Sequence, residues 1–256
     1  MTGVKSLAAA ALMMPLASLA QVLFYNNGTL NGWDESRAEH NGQVREVDNV
    51  YFTAPTSLKM DQRYDASYTG RYHSEVDVND GYTRGDSRFY GFAFKLYSGW
   101  EFDADQSYNL AQFISDLGGG CDDYMPSTMV WLVGDQLNTR LTYGTYAEPD
   151  CKRSFNEKRN LATVQPGGWH TVIIQADWQS DESGSFGFWF DGAKLVDDSG
   201  IATTIDSDNT FAFRVGLYAN GWYDDDSMVG DQDYRQVWYD EVAIGTSYSD
   251  VEPRQD

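Results

Sequence analysis

The sequence predicts an all-β fold, a two-sheet antiparallel β-sandwich of jelly-roll type. Three observations carry the prediction. Apolar and polar residues alternate with period two along most of the chain, and helical periodicity is hard to find beyond the N-terminus. Aromatic residues make up 15% of the chain, with 24 glycines and only 6 prolines, and two packed sheets are the economical way to bury so many alternating rings. Turn signals such as Asn79-Asp80-Gly81, Asp191-Gly192 and Asp198-Ser199-Gly200 recur at the spacing of a sandwich.

In chain order, Lys5 precedes an apolar run from Leu7 to Leu19, and Ser18-Leu19-Ala20 supplies small residues before Gln21. Residues 1–20 therefore read as a secretory signal and 21–256 as one domain, secreted to the extracellular space. The run is too short for a membrane anchor. Asn27-Gly28-Thr29 is an N-glycosylation acceptor in a surface turn, usable in a eukaryotic host. Strands are expected at Gly70–Val78, Arg88–Leu96, Ser127–Val133, Arg140–Tyr146, Trp169–Trp178, Ser185–Phe190, Phe211–Tyr218 and Gln236–Ile244. The two cysteines, Cys121 and Cys151, can pair only with each other within one chain, and secretion permits that bond. Two loops stand out: glycine-rich Gly118–Tyr124, and Asn220–Tyr234, whose acidity suggests a lid or a metal-binding loop.

The 39 acidic side chains against 18 basic ones give a formal net charge of -21. Such a balance excludes a nucleic-acid binder that works by phosphate neutralisation. A hydrophobic fraction of 41% excludes disorder. No partner protein is implied, and a monomer is expected.

Alternation becomes a functional test where the face opposite the core carries chemistry. In Arg71 to Asp77, parity puts Arg71, His73, Glu75 and Asp77 on one face. In Phe211 to Asn220, Phe211, Phe213, Val215 and Leu217 form an apolar face, with Arg214, Gly216, Tyr218 and Asn220 opposite. Gly216 leaves space beside Tyr218, as a strand does where a ligand comes close. Within Asn109 to Ile114, Gln112 points away from the face that Phe113 buries.

His73, Gln112 and Tyr218 form a coherent set if these three strands are neighbours. A uronate polymer is cleaved by β-elimination when its carboxylate is neutralised, a base removes the C5 proton and an acid protonates the oxygen leaving C4. An amide or a cation can do the neutralising, histidine can serve as base, and tyrosine can give or take a proton.

The segments Arg71-Tyr72-His73-Ser74-Glu75-Val76, Ser87-Arg88-Phe89-Tyr90-Gly91-Phe92-Ala93-Phe94, Leu110-Ala111-Gln112-Phe113, Arg214-Val215-Gly216-Leu217-Tyr218 and Val237-Trp238-Tyr239-Asp240-Glu241-Val242 resemble the fungal glucuronan lyases, polysaccharide lyase family 20. The resemblance covers nearly the whole mature chain. It implies a β-jelly roll, endo-type eliminative cleavage of β-1,4-linked polyglucuronate, no organic cofactor and a structural calcium. The site layout is similar to that of the jelly-roll alginate lyases, except that His73 stands where those have arginine and Ile114 where they have histidine. Gln112 would then bind the carboxylate while His73 and Tyr218 handle protons. Arg71, Glu75, Arg140, Arg214 and Asn220 are candidates for substrate positioning. For calcium, Asn26 and Asp240 lie in segments that resemble the first and last strands of calcium-bearing jelly rolls, and oxygen ligands suit that cation.

Two other functions fit parts of the sequence. Glu75-Val76-Asp77-Val78-Asn79 resembles the strand of a retaining glycoside hydrolase, but Asn79 stands at the acid/base position and an amide cannot protonate a leaving group. A non-catalytic carbohydrate-binding module is the other, with eight Trp and seventeen Tyr as stacking platforms. Action on a polyanion requires a locally positive cleft on a negative body, and moderate salt should then improve affinity.

Overall fold

The computed structural model describes residues 20–102, 106–118, 121, 124–146 and 151–254. The expected signal segment, up to residue 19, lies outside the described residues. The first strands are β1 (Val22–Asn26), β2 (Glu35–Ala38), β3 (Gln43–Val47), β4 (Ser57–Arg63), β5 (His73–Tyr82) and β6 (Ser87–Leu96). Next come β7 (Ser107–Asp116), β8 (Tyr124–Val133), β9 (Gln136–Thr145), β10 (Ser154–Thr163), β11 (Trp169–Asp177) and β12 (Gly184–Phe190). The chain closes with β13 (Ala193–Ile201), β14 (Ile205–Asp206), β15 (Phe211–Tyr218), helix α1 (Asn220–Asp224), β16 (Tyr234–Gly245) and helix α2 (Tyr248–Val251). No helix among the described residues is long and apolar enough to cross a membrane.

These strands form two eight-stranded sheets. The front sheet runs β10-β9-β8-β7-β15-β5-β2, with β14 beside β9; the back sheet runs β13-β12-β11-β6-β16-β4-β3, with β1 beside β16. The period-two pattern explains why they stack. Phe211, Phe213, Val215 and Leu217 of β15 are fully buried, as are Tyr90, Phe92 and Phe94 of β6. Rings meet across the layer, Tyr90 lying 5.1 Å from Phe213 and 4.5 Å from Phe113. Each such side chain contributes about 1.5–3 kcal/mol by leaving water. Tyr239 of β16 is buried too, and its hydroxyl reaches the carbonyls of Leu110 (2.8 Å) and Gly216 (2.9 Å), tying the back sheet to the front one.

Two of the turn signals are strand instead. Asn79-Asp80-Gly81 belongs to β5, which runs beyond the part of it that β2 covers, so Asn79 and Asp80 are polar because they face water. Asp198-Ser199-Gly200 lies in edge strand β13, where the register shifts and Gly200 adopts φ 71° as the extra residue of a bulge. Asp191-Gly192 does form a tight turn, between β12 and β13, with both residues at positive φ. The strands that alternation did not reveal include β2, β3 and β10, whose side chains are largely exposed.

Cys121 and Cys151 are joined as a disulfide, with Cα atoms 5.7 Å apart. The acidic loop after β15 opens as α1 and is anchored at both ends of its first half. Trp222 is buried against Tyr72 at 5.1 Å. The Gln106 amide donates to Asp225 and to the Ser227 carbonyl, and its oxygen accepts the Val229 N–H. No group of three or more His, Cys, Asp or Glu able to hold a metal occurs among the described residues, so the metal-binding expectation for this loop finds no support there.

The back sheet carries a pH-sensitive element. His170 of β11 donates from Nδ1 to Asp191 (2.8 Å) and from Nε2 to the Gln165 carbonyl (2.9 Å), which requires the doubly protonated ring. Burial alone would lower its pKa, but these two bonds outweigh burial and raise it. A group raised on folding stabilises the fold fully below its unfolded pKa of about 6.5 and loses that contribution as pH climbs through the folded value. The Tm difference between the wild type and His170→Gln should therefore be widest below that pH and shrink above it, as read by thermal scans across pH.

Candidate active site

β5, β15 and β7 are neighbours in the front sheet, the condition that the candidate trio requires. Their register pairs Tyr218 with His73, Gly216 with Glu75, and Arg214 with both Asp77 and Gln112. Paired residues share a face, and since the alternate residues of β15 fill the core, this set faces outward. It floors a cleft made of two contiguous hollows of about 140 and 180 Å³, both lined by Arg71, His73 and Ile114. The first hollow adds Arg37, Glu39 and Arg214; the second adds Gln112, Arg140, Tyr218, Asn220 and Asp224. Larger hollows elsewhere, such as one of about 520 Å³ beside Tyr143 and Phe155, gather no comparable set of proton-transfer groups.

His73 Nδ1 lies 2.6 Å from a Glu39 oxygen. The carboxylate places a proton on that nitrogen and leaves Nε2 free of hydrogen bonds among the described residues, with Glu75 Oε2 at 3.8 Å. The His73 and Tyr218 rings lie face against face with centroids 3.9 Å apart, so the two candidate proton-transfer groups sit side by side. The Tyr218 hydroxyl accepts a hydrogen bond from Arg71 at 3.4 Å. Burial pushes the Tyr218 pKa up and Arg71 opposes that push only in part. The phenol is therefore protonated throughout the neutral range.

Beneath these groups lies a buried polar layer. Glu75 is 0% exposed; it accepts a hydrogen bond from Gln112 Nε2 at 3.0 Å, and its other oxygen has no hydrogen-bond partner. Burial raises its pKa, against the pull of His73 and Arg214. Glu75 thus fixes the Gln112 amide and cannot itself touch a sugar, contrary to the expected substrate-positioning role. Arg214, 4% exposed, clamps Asp77 with two bonds of 2.6 and 2.5 Å, so its charge is already matched. It braces the floor of the hollow that it helps to line. Asn220 donates to Ser107 (2.6 Å) and Asp224 (3.1 Å), leaving its oxygen unpartnered at the cleft wall.

Among the described residues, Arg71 and Arg140 at the rim form no ion pair. Arg71 stacks on Tyr223 at 4.7 Å, and Arg140 stacks on Phe155 at 4.8 Å with its Nε buried and unbonded. Burial lowers the Arg140 pKa, a cost that a bound carboxylate would offset. Two functional candidates escaped the sequence reading. Arg37, opposite Glu75, and Glu39 come from β2 and the residue after it, and a strand of four residues, three of them exposed, is too short to show periodicity. The cleft lining holds Arg37, Arg71 and Arg140 against Glu39 and Asp224, with Arg214 already paired to Asp77, so it is not uniformly negative despite the net charge.

Space beside Gly216 is filled by the protein itself. A Cβ there would lie 2.4 Å from the Ser74 carbonyl oxygen and 2.5 Å from Glu75 Cα, so β5 packs where a ligand was expected. Gly216→Ala should lower stability by about 1–3 kcal/mol, measured by denaturant unfolding, and should disturb Glu75 and Gln112 with it.

The proposed calcium ligands are otherwise engaged. Asn26 Oδ1 accepts the N–H groups of Gly28 and Thr29, which uses both its lone pairs. Asp240 accepts three backbone N–H groups, from Phe52, Thr53 and Glu241. As bonded, Asn26 has no lone pair left on its oxygen for a calcium, and each side chain anchors its own loop.

A family model described as polysaccharide lyase matches residues 25–243. The chain belongs to the polysaccharide lyase family. Among solved structures, the lyase is 54% identical to the endo-β-1,4-glucuronan lyase of the fungus Trichoderma reesei, with a TM-score of 0.89 over 92% of this chain and 100% of that one. It also matches the cellulose-induced protein Cip1 at 13% identity and a TM-score of 0.52, covering 82% of this chain and 88% of that one, a likeness of fold alone. No curated protein matches the lyase.

Proposed function

We propose that the lyase is a secreted, endo-acting glucuronan lyase that cleaves β-1,4-linked polyglucuronate and leaves 4,5-unsaturated uronate ends. The observation that carries this reading is the apposition of His73, Tyr218 and Gln112 in one cleft, in a chain so similar to a glucuronan lyase. In the β-1,4-linked glucuronate ring the C5 hydrogen and the C4 oxygen lie gauche, so base and acid must act from the same side. Stacked rings meet that demand.

Gln112 and a rim arginine hold the uronate carboxylate, which makes the C5 hydrogen more acidic. His73 Nε2 takes that proton, and the resulting imidazolium is stabilised by Glu39 and Glu75. The C4–O bond breaks as the C4–C5 double bond forms, and the Tyr218 hydroxyl gives its proton to the departing oxygen. Incubation with polyglucuronate should raise the ultraviolet absorbance of the unsaturated product. Reducing ends without that absorbance would instead mean hydrolysis, the alternative that a fully buried Glu75 disfavours.

Arg37 and Arg140 stand on strands five places apart in the sheet, a span of about 24 Å at the usual strand spacing. In this reading they grip carboxylates at opposite ends of the cleft. Arg37→Ala and Arg140→Ala should each raise KM for polymer about three- to tenfold with kcat little changed, and should shift the cleavage position within defined oligomers. Secretion has one structural support: Gln21 N donates to the Asp250 carboxylate at 3.0 Å and to Thr246 at 2.9 Å, a seat suited to the ammonium that cleavage before Gln21 would create.

A further inference from the structure

The outer face of the back sheet, opposite the cleft, carries a straight row of cations and aromatic rings. Register places Lys59 of β4 against Trp238 of β16, Trp238 against Lys95 of β6, and Lys95 against Trp169 of β11. Arg45 of β3 extends the row beyond Lys59. Five strands contribute, so the row is about 19 Å long and crosses the strands.

Charge on this row is unevenly matched. Arg45 pairs with the buried carboxylate of Asp61. Lys59 and Lys95 form no ion pair among the described residues, although this chain carries 39 acidic side chains. Lys59 Nζ lies instead over the rings of Trp238 (5.3 Å) and Tyr234 (5.9 Å). Its partial burial depresses its pKa, a cost that an arriving carboxylate would relieve. Trp238 is 8% exposed beneath that lysine, while Trp169 is half-buried at the end of the row.

We propose that this row is a second polysaccharide-binding surface, which holds a strand of the acidic substrate polymer on the face of the protein remote from the cleft. The ligand class follows from the pattern. Unmatched ammonium groups two strands apart suit carboxylates that recur on one side of an extended β-1,4 chain. Trp169, half-buried with Phe52 edge-on at 5.7 Å, ends the row in an indole against which a sugar ring can rest. A neutral glycan would leave the lysines unused, and a compact anion would not need a row of this length. The identity of the polymer rests on the function proposed above; the surface itself does not. Its consequence is tethering, in which a long chain held at the back keeps the cleft supplied with nearby segments.

The test uses Lys59→Gln/Lys95→Gln and Trp169→Ala in the full protein, each in wild-type and Tyr218→Phe backgrounds. Affinity electrophoresis of the Tyr218→Phe proteins in gels with polyglucuronate should show retardation that the back-face changes weaken about fivefold, with no effect in gels with neutral glucan. In the otherwise active protein, KM for polymer should rise by a similar factor while turnover of a hexamer stays unchanged. Equal retardation of parent and back-face variants would overturn the second site. If the parent ignores polyglucuronate but is retarded by another polyuronate, with the back-face changes weakening that retardation, the surface stands and the assignment of glucuronan falls.

Discussion

Tyr218→Phe is expected to lower kcat on polyglucuronate about 10³-fold, with KM nearly unchanged. The substitution deletes one oxygen and keeps the ring that stacks on His73 at 3.9 Å, so the cleft retains its shape. What disappears is the proton that the leaving C4 oxygen needs. The wild-type profile should agree: because burial holds the Tyr218 phenol above the ordinary tyrosine value of about 10, loss of activity from its ionisation belongs well into the alkaline range. A Tyr218→Phe enzyme within tenfold of wild type would remove Tyr218 from the proton transfer altogether.

His73→Ala is expected to cost about 10²- to 10⁴-fold in kcat, with part of the loss restored by added imidazole. Truncation leaves a ring-sized gap beside Tyr218 while Glu39 remains in place to orient a small base. Rescue is the informative readout, since a purely structural histidine would not be replaced by free imidazole. Substantial activity in His73→Ala without imidazole would shift base function to Tyr218, which could then serve as both base and acid on the one face. Circular dichroism and Tm should accompany both variants to show that the fold persists.

Much of this was legible in the sequence. Parity placed His73, Tyr218 and Gln112 each on one face of its own strand, with Tyr218 opposite the core residues Phe211, Phe213, Val215 and Leu217, but that the three strands are neighbours came from the fold. Parity could not tell which polar residues on that face are free. Arg214 and Asp77 have the same parity as His73 and Tyr218, yet they neutralise each other, and that pairing depends on cross-strand register, which no single strand encodes. Glu39 and Arg37 were hidden for the opposite reason: the edge strand that carries them is too short and too exposed to show a pattern. Asn26 and Asp240 look like ligands on paper because their oxygens are the right kind; the backbone N–H groups around them take those oxygens.

The buried pairing of Arg214 with Asp77, and of Glu75 with Gln112, has a consequence for how such an enzyme can change. Groups that set the chemistry are locked into a layer beneath the surface, where one substitution leaves an unmatched charge. Groups proposed to meet the polymer, Arg37, Arg71 and Arg140, sit on separate elements at the rim and, among the described residues, are not clamped to a buried carboxylate. Mutation can therefore explore new sugar chains at the rim one residue at a time, while the elimination step is inherited intact. Directed evolution toward other polyuronates should accordingly collect its first useful substitutions at the rim and almost none in the floor.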